Sequence, residues 1–188
     1  MAENYSALGV AHRVIAANVP SGALCIDATA GNGGDTVFLA SLVGEGGRVI
    51  AMDIQEAAVR STQKNILEHG CSGIASVVLK SHEFIDELAA PETVDCIVFN
   101  FGWLPGGDHG VFTLPETSVA AADKSLALLK RGGLLSLCLY YGRNNGYAER
   151  DALLHWAAGL DSTHYNVMRC DFLNRVNDPP FPVFIVKE

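Results

Sequence analysis

Two stretches of this chain carry residue types that do chemistry, at spacings that ordinary packing does not require. The first is IDATAGNGGDT, where an apolar run ends in Asp27 and a glycine turn, Gly31-Asn32-Gly33-Gly34, leads to Asp35 and Thr36. Gly31 and Gly33 let the backbone approach a ligand where a side chain would collide. A helix starting near Gly34 would aim free N–H groups at the same place. A dinucleotide-binding turn wants a third glycine where this chain has Thr36. Asp27, four residues before the first glycine, is badly placed for a pyrophosphate because like charges would meet. It suits a ligand with a positive amino group, such as the methionine part of S-adenosylmethionine (SAM), and Asp35 repeats that preference. Asp53 ends the next apolar run, RVIAMD, about 20 residues on, where an acid can accept hydrogen bonds from both hydroxyls of a ribose. NAD and SAM folds share that acid, so it points to a ribose without choosing the cofactor.

The second stretch is VDCIVFNFGWLPGGDHG, from Val94 to Gly110. Val94 to Phe99 reads as a buried strand. Asn100 then ends the run, and Pro105, Gly106 and Gly107 forbid regular structure. An amide at the mouth of such a strand can accept an N–H bond from an amine and orient its lone pair toward a methyl donor. Trp103 offers a flat face for a base, a contact worth roughly 1–3 kcal/mol. Pro105 and Gly106 hold an elbow with room for that base. An alkyl ammonium, with a pKa of about 10, would be attracted to Asp108, which can take its proton directly or through water. His109 is a second candidate base. The plainer readings are a turn residue for Asp108 and helix packing for Trp103. Between the two stretches, Ser81-His82-Glu83 comes after a third apolar run on the expected adenine side. Ser81 and His82 can bond the adenine edge or cover its face, and Ser81 can equally cap a helix with Glu83 in its first turn. The candidate cofactor set is therefore Asp27, Gly31, Asn32, Gly33, Asp35, Thr36, Asp53, Gln55, Ser81 and His82.

Around these residues, apolar strands alternate with helical patterns. Helices are expected over Ala7–Asn18, Asp35–Leu42, Gln55–His69 and Tyr147–Leu160, with a short one after Ser81. A longer helix is expected from Pro115 to Leu129, with Lys130 and Arg131 at its end, where cations suit the dipole, and Gly132-Gly133 as its stop. Strands are expected to end at Asp27 and Asp53, and to cover Ala75–Leu79, Val94–Phe99, Leu134–Tyr141, Tyr165–Phe172 and the final FPVFIV. The last two lack a helix between them and should pair as an antiparallel hairpin. The fold class is α/β: a doubly wound, seven-stranded, mostly parallel sheet in a single domain over residues 1–188.

Composition sets the outer bounds. The chain has 188 residues, 49% hydrophobic and 18% charged, which describes a globular protein able to bury a core. A formal charge of −8 gives no general attraction to nucleic-acid phosphates, so any RNA contact needs a local basic patch. There are five cysteines and no CxxC pair; Cys25, Cys96 and Cys138, inside apolar runs, read as small core residues in a reducing compartment. With no signal peptide and no apolar run near the roughly 18 residues of a membrane span, the expected location is cytoplasmic, with neither membrane nor metal involved.

The strings DATAGNGGDT, AMDIQ, KSHE, NFGWLPGGDH and NDPPF together resemble the bacterial rRNA methylase family of the YtqB/MnmM type, from about His12 to Phe184. The first string is specific only to a superfamily; the Asn-x-Gly-aromatic-Leu-Pro-Gly-Gly-Asp string is much more specific. The resemblance implies a class I methyltransferase fold, SAM as cofactor, and methylation of the aminomethyl group of 5-aminomethyl-2-thiouridine at the wobble position of tRNA. The implied partner is the anticodon stem-loop of a tRNA. The chain departs from the family at Trp103, where Tyr is usual, and in the loop Gly142-Arg143-Asn144-Asn145, where Gly-His-x-Gly-Gly is frequent. Arg143 is the preferred phosphate contact among the cations Lys124, Arg131, Arg143, Arg150 and Arg175. Tyr140 and Tyr141 are candidates to line the pocket, with strand alternation sending one of them into the core. The expected catalytic residues are Asn100, Asp108 and Trp103, and the expected substrate contacts Trp103, Pro105, Gly106, His109, Tyr141 and Arg143. Three other functions remain open: a SAM-dependent methyltransferase on another RNA site (rRNA) or a small amine, an NAD-dependent oxidoreductase, and a non-catalytic RNA-binding protein. A homodimer is also left open.

Overall fold

The structure is a computed structural model that describes residues 5–102, 114–141 and 146–188. Helix α1, Ala7–Asn18, begins at Ser6, whose hydroxyl accepts the Gly9 N–H at 2.9 Å. Next come β1 (Leu24–Asp27), α2 (Gly34–Val43), β2 (Arg48–Asp53), α3 (Glu56–Glu68) and β3 (Ala75–Leu79). A 3-10 helix, His82–Glu87, leads to β4 (Val94–Phe101), α4 (Pro115–Leu128), β5 (Leu129–Leu139), α5 (Gly146–Ala158), β6 (Tyr165–Arg169) and β7 (Phe181–Lys187).

The seven strands form one sheet in the order β3-β2-β1-β4-β5-β7-β6. The first five strands in chain order pair in parallel, while β7 runs antiparallel to both β5 and β6. The doubly wound, seven-stranded sheet with its antiparallel closing hairpin is as expected. Strand order reverses between β1 and β4, so a crevice opens at the carboxyl ends of those two strands.

Alternating side chains build the two layers. Cys25, Cys96 and Val98 point to the face covered by Ile15, Leu39, Val43 and Ile66 of α1, α2 and α3. Their neighbours Ile26, Ile97 and Phe99 point to the other face, against Ala121, Ala122, Leu126 and Leu153 of α4 and α5. Both faces are dry, which is why these strands read as apolar without a polar alternation.

Several local expectations are corrected. Helix α4 stops at Leu128 and β5 begins at the next residue, so Lys130 and Arg131 belong to a strand. Lys130 Nζ spans both oxygens of Asp95, at 2.9 Å each, in place of any helix-end role. Gly132 (φ +77°) and Gly133 do not stop the helix but sit in an irregular stretch of β5. There the pairing jumps from Val94↔Leu129 to Cys96↔Leu134, the extra residues being absorbed as a bulge. Strand β4 does not end before Asn100 but continues to Phe101, because β5 pairs with it through Asn100↔Cys138 and Phe101↔Leu139. Tyr140 and Tyr141 fall outside β5, and β6 ends at Arg169 instead of Phe172.

Candidate active site

A cavity of about 590 Å³ lies over the carboxyl ends of β1, β2 and β4. Its floor is the turn after β1. Gly31 has φ +53° and Gly33 φ +85°. A Cβ on Gly33 would stand 2.9 Å from the Thr62 Cα, so this turn tolerates no side chain there. Helix α3 holds the turn from behind: Thr62 Oγ1 donates to the Gly31 carbonyl at 3.1 Å, and Asn65 Nδ2 donates to the Asn32 carbonyl at 3.1 Å. Ser61 Oγ donates to Asn32 Oδ1 at 3.2 Å.

Asp53 stitches two turns together. Its Oδ2 accepts the Gly31 N–H and its Oδ1 the Gln55 N–H, both at 2.9 Å. The carboxylate still lines the cavity, with lone pairs left for a ligand. Gln55, Gly31 and Asn32 line it too.

Asp27 is placed differently from the expectation. It is 0% exposed and does not line the cavity. Its Oδ2 accepts from the Thr36 hydroxyl at 2.6 Å and its Oδ1 from the Thr29 N–H at 3.3 Å. Burial, and then the nearby charge of Asp35, push its carboxyl up to about 7, against the pull of those two hydrogen bonds. Asp27 and Thr36 therefore shape the turn from beneath, and Gly33 acts through its close approach to Thr62. None of the three faces the cavity.

The acid that does reach the cavity near Asn100 is Asp35, with a side chain 12% exposed. Its Oδ2 accepts from Asn100 Nδ2 at 2.6 Å, and its Oδ1 contacts His12 Nε2 at 2.7 Å. The Asn100 backbone N–H donates to Thr29 Oγ1 at 2.7 Å. Asn100 is thus gripped by the first turn through both backbone and side chain. Gly102 comes next but one with φ +151°, where a Cβ would lie 2.8 Å from the Tyr140 Cβ.

On the far wall, Ser81 and His82 both line the cavity. Ser81 Oγ accepts the Glu83 N–H at 3.3 Å, so the capping role holds alongside the cavity position. His82 sets its ring edge-on to Phe99 and Phe101, with centroids 6.2 and 6.3 Å away. Its Nε2 is buried without a hydrogen-bond partner among the described residues. Burial keeps its imidazole below the usual range, so the ring is neutral near pH 7.

Several lining residues were not foreseen. Leu8, Leu114 and Thr117 reach the cavity from elements that carry no local motif, while Thr29 and Glu83 sit inside the stretches already singled out but were given no cavity role. Ile54, an apolar residue directly after a strand-ending acid, is 61% exposed. Of the two tyrosines, Tyr140 lines the cavity. Tyr141, the expected substrate contact, turns to Phe181 and Tyr147, and Arg150 lies 4.6 Å over its ring. Trp103, Pro105, Gly106, Asp108, His109 and Arg143 lie outside the described residues. Three of the other expected cations are engaged within the fold. Lys124 is tied to Asp86, Arg150 to Asp151, and Arg175 lies over the Phe172 ring.

Three carboxylates, Asp35, Asp53 and Glu83, line the cavity, with no lysine or arginine among the described lining residues. Such a field attracts a cation and repels a phosphate. Among the described residues, no cluster of three or more His, Cys, Asp or Glu side chains suits a metal ion.

The family model described as "Putative rRNA methylase" matches residues 49–186. The chain is 34% identical over 187 residues to the chloroplastic tRNA (mnm(5)s(2)U34)-methyltransferase of Arabidopsis thaliana, covering 94% of this chain and 66% of that one. It thus spans just under two thirds of that relative. A crystal structure from Clostridium thermocellum carrying the same rRNA methylase description is 39% identical, with a TM-score of 0.94 over 97% of this chain and 98% of that one. A "putative methyltransferase" of Streptococcus mutans, solved in complex with SAH, is 34% identical with a TM-score of 0.87 and the same coverage.

Proposed function

The chain belongs to the rRNA methylase family, and from that membership we propose that it is a SAM-dependent N-methyltransferase that converts the aminomethyl group of a modified tRNA wobble uridine, 5-aminomethyl-2-thiouridine, to methylaminomethyl. The observation that carries this reading is the anionic cavity with Asn100 fixed at its edge by Asp35. The name of the Arabidopsis relative supports the tRNA site, and the SAH complex of the Streptococcus mutans protein supports the cofactor.

The residues present fit SAM. Gly31 and Asn32 offer a turn that admits close approach, and Asp53 keeps acceptor capacity for a ribose. The unpartnered His82 Nε2 matches a polar edge such as that of adenine. Asp35 takes over the role expected of Asp27, a carboxylate facing the methionine ammonium. SAM, when bound, would supply a methyl group from its sulfonium to a nitrogen lone pair in line, the sulfur leaving as the neutral thioether of SAH. Everything else falls to the protein. The Asn100 amide accepts an N–H from the substrate amine and turns its lone pair toward the reaction axis. Asp108 or His109 removes the proton from the ammonium form, Trp103 stacks on the base, Pro105 and Gly106 shape its seat, and Arg143 contacts phosphate. With no lysine or arginine among the described lining residues, RNA binding falls to cations outside that lining.

Among the described residues, no helix is long and apolar enough to cross a membrane. The five free cysteines, four of them buried, fit a reducing compartment. The cytoplasm is the proposed location, although the Arabidopsis relative is chloroplastic.

The test is mass spectrometry of wobble nucleosides from tRNA carrying the aminomethyl group, after incubation with the protein and SAM. A gain of one methyl on that nucleoside is expected. No gain, with SAM binding confirmed by calorimetry, would move the substrate to another RNA site or a small amine.

A further inference from the structure

We propose that His12 is a positioning residue for methyl transfer: acting through Asp35, it fixes the Asn100 side chain with its amide oxygen offered to the substrate N–H. The proposal rests on the reading that Asn100 meets the substrate amine.

Three side chains from three elements form one chain of hydrogen bonds. His12 comes from α1, Asp35 from the first turn of α2 and Asn100 from β4. His12 Nε2 and Asp35 Oδ1 are 2.7 Å apart, and Asn100 Nδ2 and Asp35 Oδ2 are 2.6 Å apart. A carboxylate accepts and does not donate. The Asn100 atom facing Asp35 is therefore the amide nitrogen, which leaves the oxygen as the atom offered elsewhere. By the same rule, the His12 nitrogen facing Asp35 carries its hydrogen. The imidazole is itself held from behind, stacked on Phe38 with centroids 3.8 Å apart and planes 12° from parallel. Both ends of the carboxylate are thus occupied, one by a fixed ring and one by the amide it orients.

The consequence is a site with a defined polarity. If Asp35 were free to rotate, the Asn100 amide could flip and present its NH2 group, which donates and so cannot accept the N–H of an amine. His12 removes that freedom from behind Asp35 without itself lining the cavity, on a helix that reaches the cavity through Leu8. A nucleophile bearing a hydrogen is selected, and its lone pair is held on the methyl side.

Two variants separate this role from simple packing. His12→Phe keeps a ring for stacking on Phe38 and removes the hydrogen bond, while His12→Gln keeps a donor for Asp35 and loses the ring. The first readout needs no substrate: the Asn100 carboxamide proton signals in NMR spectra, identified by their loss in Asn100→Ala. In wild type, the proton donated to Asp35 should resonate well downfield of its partner. In His12→Phe the pair should draw together, and in His12→Gln the separation should largely return. The second readout is turnover on aminomethyl-bearing tRNA, where His12→Phe should lower kcat roughly tenfold, about 1.4 kcal/mol of barrier, with KM for SAM within about twofold of wild type. His12→Gln should recover most of that loss. Carboxamide signals unchanged in His12→Phe would overturn the proposal, as would kcat losses that follow the melting temperatures of the two variants and not the donor. A wild-type protein inactive on this tRNA would count against the substrate alone, and the NMR comparison would still decide the role of His12.

Discussion

Asp27 and Asp53 occupy equivalent places, each the last residue of a central parallel strand, and they end up with opposite environments. Asp53 is half-buried, accepts two backbone N–H groups and still borders the cavity. Asp27 is fully buried beneath the turn, bonded to Thr36 and Thr29. The difference lies in how the chain leaves each strand. After β1 the turn doubles back so that the Thr36 hydroxyl of α2 reaches the carboxylate. After β2 the chain departs directly through Ile54 and Gln55, and the acid is left facing outward. A strand-ending acid therefore borders the cavity or becomes a buried strut according to the helix that covers it, not according to its position on the strand.

Substitutions at and around these two acids should separate the two roles in their effect on SAM affinity. The largest effect is expected from Asp53→Ala, which removes the proposed ribose acceptor and leaves the Gly31 and Gln55 N–H groups without their carboxylate partner. Loss of charged hydrogen bonds of this kind costs about 1.5–3 kcal/mol each, so calorimetry should show SAM binding weakened about a hundredfold. Unchanged affinity would dissolve the contrast with Asp27. A smaller effect is expected at Gly33→Ala, which disturbs the turn that both acids support. Its φ of +85° and the 2.9 Å approach to Thr62 force a local shift. A strained left-handed residue costs about 1–3 kcal/mol, so affinity should fall roughly tenfold and the melting temperature with it. An alanine variant with wild-type melting and binding would show that the turn is less tightly set than its geometry implies.

The smallest change in affinity is expected at Asp27→Asn, within about threefold at neutral pH, because an amide oxygen can still accept from Thr36. Its signature is in stability. The Asp27 carboxyl, pushed up to about 7 from an ordinary 3.8, binds its proton more tightly in the folded protein than in the unfolded chain. Its contribution is then fully present below about pH 4 and is lost as pH rises toward and through about 7. Denaturant melts of the protein without ligand should show wild type losing stability relative to Asp27→Asn across that window, by an amount on the order of a few kcal/mol. Parallel pH profiles for the two proteins would mean that Asp27 is not held as a buried acid.

Much of this was legible in the chain. Apolar runs alternating with helical patterns yield the doubly wound sheet, since strands buried on both faces leave a continuous apolar signature. The glycine turn and the strand-ending acids mark the cavity floor, because few residue types satisfy a positive φ or a close backbone approach. The Gly132-Gly133 pair was misleading: glycines punctuate helix ends and strand bulges alike, and the strand pairing that jumps from Val94↔Leu129 to Cys96↔Leu134 shows which applies.

What the sequence determined by itself was thus the fold class, the place of the cavity and the acidic character of its lining, all of which stem from local conformation and from charges that persist in any arrangement. Only the tertiary structure decided which acid faces the cavity, that Tyr140 and not Tyr141 lines it, and that a histidine 23 residues before Asp35 holds that carboxylate. Those outcomes depend on which helix folds over which strand end, and hydrogen-bond partners brought together from distant parts of the chain leave no spacing rule for a sequence to display.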